Sequence, residues 1–193
     1  TDMPVDFSTS LGGVKCPSCV MNAAGARSST LQELQELAVS EAGAVVLKST
    51  TVQPVTAQQP HLQSLLNPGY REFMAVVPPL RQLGKPVIAS LAGFAVQDYA
   101  EMTAAYAAAG VDIIELNLAD PYVVCNTSGS CDPGIVRTIL SQVQACKVST
   151  PLAVKLPAFA QRQAMQDVLQ MLRSMAIPVV ICLNAPLGTP SQP

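Results

Sequence analysis

Short apolar runs and amphipathic segments alternate along nearly the whole chain. Runs that are apolar throughout are typical of strands buried on both faces, and apolar residues three or four positions apart are typical of helices that cover such a sheet. The predicted strands are residues 19–22, 44–48, 86–91, 111–118, 151–156 and 178–183. The predicted helices are residues 30–41, 70–83, 97–109, 133–146 and 161–175. This alternation predicts about six βα units around a parallel sheet.

Local signals refine this pattern. Ser29 or Thr30 can cap the first helix. The adjacent prolines at 78 and 79 predict a bend or break in the second helix, because proline cannot donate the backbone hydrogen bond that a helix interior requires. Residues 50–68 are polar, rich in glutamine and bounded by prolines, which predicts a long loop.

The pattern favours an incomplete barrel over a nucleotide-binding fold. No G-x-G-x-x-G motif follows the first predicted strand, which weakens a dinucleotide-binding interpretation. A complete (β/α) barrel has eight units and about 250 residues. The predicted fold is therefore α/β, an incomplete TIM (β/α) barrel over residues 1–184, followed by a Pro-rich irregular tail over residues 185–193.

Composition narrows the classes of partner. The chain is 49% hydrophobic and 12% charged, against roughly 25% charged in an ordinary soluble domain. This favours a buried or oligomeric setting, although an Ala-rich core gives the same composition. The net charge is −2 and no Lys/Arg cluster is present, which argues against nucleic acid as a partner. Asp112, Glu115 and Asp120 interrupt the longest apolar stretch, so we expect a soluble protein without a membrane span, in an organelle such as the mitochondrion or in the cytoplasm.

Six short segments carry recognisable motifs: residues 6–15, 21–25, 33–49, 115–118, 154–157 and 182–184. In this order, and over nearly the whole chain, they resemble dihydroorotate dehydrogenases of the soluble class 1 type. The resemblance implies an N-terminal β-hairpin at residues 6–15 and a turn that approaches the flavin at residues 21–25. It also implies that residues 115–118 form the strand that leads to the family's catalytic loop.

The resemblance implies a set of ligand-binding positions. In that family FMN lies over the C-terminal mouth of the barrel, and dihydroorotate stacks on it. The positions that would contact flavin or substrate are Ala23, Gly25, Lys48, Asn117, Lys155 and Asn184. Lysines stabilise anionic flavin and pyrimidine oxygens, and asparagine amides fix the pyrimidine edge. Each lysine or asparagine alone could instead be satisfied by loop backbone, but the four at matching strand ends together predict a site descended from a flavin site.

The chain departs from the family at the catalytic base. The family's loop reads Asn-Leu-Ser-Cys-Pro-Asn and its cysteine is the base, whereas residues 117–122 read Asn-Leu-Ala-Asp-Pro-Tyr. Asp120 therefore stands at the base position, and Tyr122 replaces an asparagine that binds substrate. A carboxylate, with an ordinary pKa of about 3.9, is a weak base at neutral pH and repels the substrate's own carboxylate. Cys125 fills the role only if the loop is rebuilt.

Two further departures concern the substrate and the cofactor. The loop at residues 63–69 has lost most of the amides of the family's Asn-Ser-Met-Gly-Leu-Pro-Asn stretch, and Asn67 is the candidate remnant of one of them. The FMN phosphate is held by loops after strands seven and eight, as in many such barrels, and the sequence given stops soon after the sixth predicted strand. Together with Asp120, these departures predict a degenerate, C-terminally truncated member of the family.

The cysteines leave several possibilities open. Cys16 and Cys19 form a C-x-x-C motif, and Cys125 and Cys131 bracket a Ser/Gly loop. Zinc binding, a Cys125–Cys131 disulfide and free thiols are the alternatives. The resemblance puts the first pair in the hairpin and the second pair at the opposite end of the barrel, which argues against a shared metal. No metal site is therefore predicted.

The leading hypothesis is a catalytically inactive dihydroorotate-dehydrogenase-like protein that acts as a structural or accessory subunit of a larger assembly. Other protein subunits would then cover the open edge of the barrel, because unpaired strand edges promote aggregation. No cofactor is expected, or FMN if the ancestral site is retained. The alternative is an FMN-dependent dihydroorotate dehydrogenase of pyrimidine biosynthesis, seen as a fragment. A binding module that keeps the barrel mouth as a pocket without chemistry is a third possibility.

Overall fold

Strands and helices alternate through most of the chain in the computed structural model, which describes residues 5–126, 131–159 and 161–182. Asn184 and the predicted tail at residues 185–193 lie outside the described residues. The strands are β1 (Thr9–Leu11), β2 (Val14–Cys16), β3 (Val45–Val46), β4 (Val87–Leu91), β5 (Ile113–Asn117), β6 (Leu152–Leu156) and β7 (Val179–Cys182). The helices are α1 (Leu31–Val39), α2 (Tyr70–Phe73), α3 (Val77–Arg81), α4 (Val96–Ala109), α5 (Pro133–Ala145) and α6 (Arg162–Ser174). Short 3₁₀ turns are Ala26–Ser28, Pro60–Leu65 and Met74–Val76.

A five-stranded parallel sheet in the order β3-β4-β5-β6-β7 forms the body of the protein. Strands adjacent in sequence are adjacent in the sheet, and helices connect them, as in a (β/α) barrel. The sheet curls into a half-barrel, which confirms the predicted incomplete TIM barrel. The antiparallel β1–β2 hairpin confirms the hairpin expected from the resemblance.

Residues 19–22, the first predicted parallel strand, do not form a strand, so the described part of the chain contains five parallel strands where about six were expected. Residues 19–22 run beside β3 without a backbone ladder. Instead the side chain of Asn22 pairs with β3: its Oδ1 accepts from Val46 N (2.8 Å), and its Nδ2 donates to the Val46 carbonyl oxygen (2.7 Å). The backbone N–H of Gly43 donates to the Val20 carbonyl oxygen (2.7 Å). One side chain thus satisfies backbone groups that a neighbouring strand would otherwise satisfy.

Helix boundaries follow the local signals with one shift. Thr30 caps α1, because its Oγ1 accepts from Glu33 N (3.2 Å) while the Glu33 carboxylate accepts from Thr30 N (3.1 Å). The break in the second helix was predicted at Pro78 and Pro79, and it lies just before them, at the 3₁₀ turn Met74–Val76. Pro78 lies in the first turn of α3, where its missing N–H costs little.

The two faces of the sheet pack into separate cores. The outer face packs against the helices, through residues that include Leu47, Leu91 and Leu116. The inner face of the half-barrel carries a smaller apolar layer at its N-terminal end, built from Cys16, Ala44, Val46, Ile88, Ile113, Ala153 and Val179. Leu11 and Val14 of the hairpin pack against this layer, so the hairpin closes that end of the half-barrel. The opposite, C-terminal end is left to polar residues.

Among the described residues, no helix has both the length and the apolar character needed to cross a membrane.

Candidate functional site

A polar layer lies directly above the apolar layer on the inner face. Side chains alternate between the two faces of a strand, so positions two residues beyond the apolar layer also face inward. These positions hold Lys48, Ser90, Glu115 and Lys155, and all four side chains are buried. Asn117 is one further step along β5 and pairs in register with Lys155 of β6. The strand pattern thus delivers two lysines, a glutamate and an asparagine to the mouth of the half-barrel.

A cavity of about 410 Å³ opens at this mouth. Its volume lies within the roughly 300–1,000 Å³ that is typical of small-molecule sites. It is lined by Ala24, Gly25, Ala26, Ser29, Lys48, Ser49, Gln63, Ser64, Leu65, Leu66, Asn117, Asp120 and Lys155. Five residues singled out in the sequence therefore meet in one place: Gly25, Lys48, Asn117, Asp120 and Lys155. Ala24, rather than its exposed neighbour Ala23, lines the cavity.

Lys48 is the most constrained cation of the site. Its Nζ donates to the carbonyl oxygen of Ser64, which ties β3 to the following loop. Burial lowers the pKa of Lys48, the nearby Asp120 carboxylate opposes that shift, and Lys155 adds to it. A poorly hydrated ammonium next to a second lysine provides strong attraction for a carbonyl or anionic oxygen placed in the cavity.

Asp120 reaches the cavity from the loop between β5 and α5. Its side chain is 4% exposed, and Oδ1 accepts from the backbone N–H of Tyr122 (3.1 Å). Asn126 stabilises this part of the loop, because its Nδ2 donates to the carbonyl oxygens of Ala119 (3.2 Å) and Asp120 (3.3 Å). Asp120 is thus a buried carboxylate in the lining of the same cavity as Lys48 and Lys155.

Cys125 does not line the cavity. Its Sγ donates to the Leu118 carbonyl oxygen (3.7 Å), and the side chain is packed in the main core rather than against the cavity. A hydrogen bond with Cys131, followed by burial, raises the pKa of the Cys125 thiol. Both effects keep Cys125 protonated and away from the ligand space.

A chain of buried hydrogen bonds connects the cavity to Glu115. Asn117 Nδ2 donates to Ser49 Oγ (3.1 Å), Ser49 Oγ shares a hydrogen bond with Ser90 Oγ (2.8 Å), and Ser90 Oγ donates to Glu115 Oε1 (2.7 Å). Burial raises the pKa of Glu115, although the bond from Ser90 and the charge of Lys155 act in the opposite direction. The sequence motifs did not indicate Ser49, Ser90 and Glu115 as site residues. A charged residue two positions before Asn117 in an apolar strand was the available signal.

The loop after β3 supplies one wall of the cavity. Gln63, Ser64, Leu65 and Leu66 line it, whereas Asn67 faces the loop itself. Asn67 Nδ2 donates to Thr51 Oγ1 (2.9 Å), and its Oδ1 accepts from Gly69 N (2.8 Å). Asn67 therefore stabilises the loop, and its neighbours provide this wall of the cavity.

Comparisons with known proteins agree with the geometry. The family model described as "Dihydroorotate dehydrogenase" matches residues 7–190. The chain is 30% identical over 167 residues to the "Dihydroorotate dehydrogenase B (NAD(+)), catalytic subunit" of Alkaliphilus metalliredigens. This alignment covers 79% of this chain and 54% of that protein. It is 31% identical over 161 residues to the protein of the same name from Methanocella arvoryzae, which covers 75% of this chain and 51% of that protein. The chain thus spans about half the length of these curated relatives.

A solved structure described as "Crystal structure of TcOYE with pHBA" shares the fold. It superposes with a TM-score of 0.72 at 9% identity and covers 96% of this chain and 76% of that chain. At 9% identity, this similarity shows the barrel architecture alone.

Proposed function

This chain belongs to the dihydroorotate dehydrogenase family, and we propose that it keeps the family's ligand pocket, lacks its cysteine-based dehydrogenation, and serves as an accessory subunit of a larger protein assembly. The observation that supports the proposal is that Asp120 is a buried carboxylate lining the same cavity as Lys48 and Lys155, and the motif resemblance aligns this residue with the family's cysteine base.

Asp120 acts against dihydroorotate oxidation in two ways. A carboxylate is a weaker base near neutral pH than the group it replaces, and general-base catalysis is worth about 10²–10⁴-fold in rate. Its negative charge also repels the carboxylate of dihydroorotate within the same cavity. The alternative thiol, Cys125, is packed in the core with a raised pKa.

The residues present fit part of an FMN site. Lys48 and Lys155 would hold carbonyl oxygens of the flavin or of a pyrimidine, and the Asn117 amide is held in a fixed orientation by Ser49 and by Ala119 N. When bound, FMN would supply a ring that accepts a hydride. The turn at Gly25 brings backbone close to the same space.

The accessory role is supported by the surface. The chain is 12% charged, and several large apolar side chains are exposed at the surface, among them Phe7, Val20 and Val39. Strand β7 is the last strand of the described sheet, and its outer edge can pair with a strand of another chain or of a further part of the same polypeptide. A protein partner could bury these apolar side chains and pair with the edge of β7. Few charged groups would lose their hydration in such an interface.

Replacement of Asp120 by cysteine tests the catalytic part. The full chain is mixed anaerobically with saturating FMN and dihydroorotate, and loss of the oxidised-flavin absorbance is followed. We expect the Asp120→Cys variant to reduce flavin about 100-fold or more faster than the wild type, because a usable base is restored. Asp120→Ser, which removes the carboxylate without supplying a thiol, is the matched control and should stay at background. A wild-type rate equal to that of Asp120→Cys would refute the catalytic part.

The accessory part is tested on the native protein. Size-exclusion chromatography of a mild extract of its own cells, with quantitative mass spectrometry of the fractions, should place the chain in a large particle at fixed stoichiometry with the same partners. Elution of the endogenous chain at the mass of its monomer would remove the accessory role.

One observation favours a second candidate, an FMN-dependent dihydroorotate dehydrogenase of pyrimidine biosynthesis of which this chain is a part. Lys48, Asn117 and Lys155 still converge on one cavity, and the matched region covers about half of relatives named as catalytic subunits. This candidate predicts that a polypeptide including further βα units binds FMN stoichiometrically and converts dihydroorotate to orotate. In that case Asp120 would be the proton acceptor.

A further inference from the structure

Two buried cysteines of the β5–α5 loop, Cys125 and Cys131, lie close together in the core. Cys125 is 2% exposed and Cys131 is 6% exposed, and the structure records both as thiols. Asp132 N donates to the Cys125 carbonyl oxygen (3.0 Å), which fixes the two ends of the loop side by side. We propose that Cys125 and Cys131 form a reversible disulfide that fastens this loop, with a small-molecule disulfide such as glutathione disulfide as the oxidant.

The geometry favours bond formation between these two sulfurs in particular. Both side chains are packed in the same core, and each thiol shifts the pKa of the other. The backbone bond from Asp132 restrains the separation of the two residues before any bond forms. A disulfide tolerates only a narrow range of separations, and a preformed contact meets that requirement without rebuilding the fold.

The two thiols have different roles, because their mutual interaction lowers the pKa of Cys131 and raises the pKa of Cys125. Cys131 therefore ionises first. The Cys131 thiolate attacks one sulfur of glutathione disulfide, which forms a mixed disulfide and releases one glutathione thiolate. Cys125 then gives its proton to the released glutathione thiolate and attacks the Cys131 sulfur of the mixed disulfide, which releases the second glutathione as a thiolate. That thiolate takes up, through water, the proton that Cys131 lost when it ionised. Two protein thiols are oxidised, and one glutathione disulfide is reduced to two glutathione thiols.

The disulfide would act on the segment that shapes the cavity. Asn126, next to Cys125, holds the carbonyl oxygens of Ala119 and Asp120, so opening of the loop at Cys125 would release Asp120 from its position. The bond closes a loop of seven residues, 125 to 131. The chain-entropy relation for a loop of this length corresponds to roughly a 50-fold decrease in the open population. The inference rests on the loop and is independent of whether the cavity holds FMN.

The test uses the full chain in a series of glutathione buffers from fully reduced to fully oxidised. Samples are quenched with acid, alkylated with N-ethylmaleimide and digested with trypsin. No lysine or arginine separates the two cysteines, so both lie in one tryptic peptide. We expect that peptide to lose both alkyl groups and two hydrogens together at the oxidising end, and to regain the groups when reductant is added. Full alkylation of Cys125 and Cys131 at every ratio, or separate glutathione adducts on each, would overturn the proposal.

Two variants and one further measurement secure the result. With Cys125→Ser, the exchange should stop at a glutathione adduct on Cys131, whereas Cys146→Ser, a change outside the pair, should leave disulfide formation intact. Hydrogen exchange of the amides of residues 118–126 should slow by about 50-fold on oxidation of the wild type. Equal exchange in the two redox states would show that the bond does not fasten the loop, and would overturn that part of the proposal.

Discussion

Asn22 provides the sharpest stability prediction, because one side chain replaces a whole strand pairing at the edge of β3. The substitution Asn22→Ala removes the bond from Val46 N to Oδ1 (2.8 Å) and the bond from Nδ2 to the Val46 carbonyl oxygen (2.7 Å). Val46 is 4% exposed, so water reaches its backbone poorly after the change. Each lost hydrogen bond costs about 0.5–1.5 kcal/mol, and more where a buried partner is left unsatisfied. We therefore expect the free energy of unfolding to fall by about 2–4 kcal/mol.

The assay is urea unfolding followed by circular dichroism, with a thermal scan in parallel. For a protein of this size, a loss of this order lowers Tm by roughly 4–16 °C. Asn22→Asp keeps the acceptor and loses the donor, so it should fall between the wild type and Asn22→Ala. Gln32→Ala removes an exposed side-chain bond to Glu36 on α1 and is the control for loss of a surface amide. An Asn22→Ala protein within about 0.5 kcal/mol of the wild type would refute the reasoning.

Three further predictions concern the site and the packing beneath it. Lys48→Met should weaken FMN binding by about tenfold or more, as measured by quenching of flavin fluorescence, because a charge-assisted contact is lost; unchanged affinity would place the ligand elsewhere. The raised pKa of Glu115 means that its contribution to stability is present below the unfolded pKa and is lost as pH rises through the folded pKa, so Glu115→Gln should flatten the fall in unfolding free energy over that window, and an identical pH profile would contradict this. Gly43→Ala should cost about 1–3 kcal/mol in urea unfolding, since its Cβ would lie 1.7 Å from the Ser18 carbonyl oxygen and the neighbouring segment must move; a neutral result would mean that this close approach is not required.

The sequence pattern predicted the elements whose signals are local. The Thr30 cap, the Ala-rich helix ended by Gly110 and the apolar strands β4 to β6 all follow from short-range periodicity and capping, and the structure contains them. The first strand failed for the opposite reason. Residues 19–22 are apolar enough for a strand, but whether a backbone ladder or the Asn22 side chain pairs with β3 depends on a contact 24 residues away.

The site, like the fold, was predicted where its residues follow from local motifs and not where they depend on tertiary contacts. Positions at strand ends, such as Lys48, Asn117 and Lys155, follow from the family motifs together with the rule that ligands bind at the C-terminal ends of barrel strands. The chain from Asn117 to Glu115 through two serines depends on the register between β4 and β5, which no single segment encodes. The side to which Cys125 turns is likewise set by core packing. Catalytic loss and the accessory role stay predictions.

Whether Asp120 acts as a catalytic base is tested most directly by comparing the wild-type chain with Asp120→Asn in anaerobic mixtures of FMN and dihydroorotate. Orotate is quantified after a fixed time. Asparagine keeps the shape of the side chain and removes its ability to accept a proton. We expect both proteins to form orotate only at the rate of a mixture without protein, because we propose that Asp120 does not act as a base. Rapid orotate formation by the wild type that is abolished in Asp120→Asn would contradict it, and would identify Asp120 as the base of an active dehydrogenase.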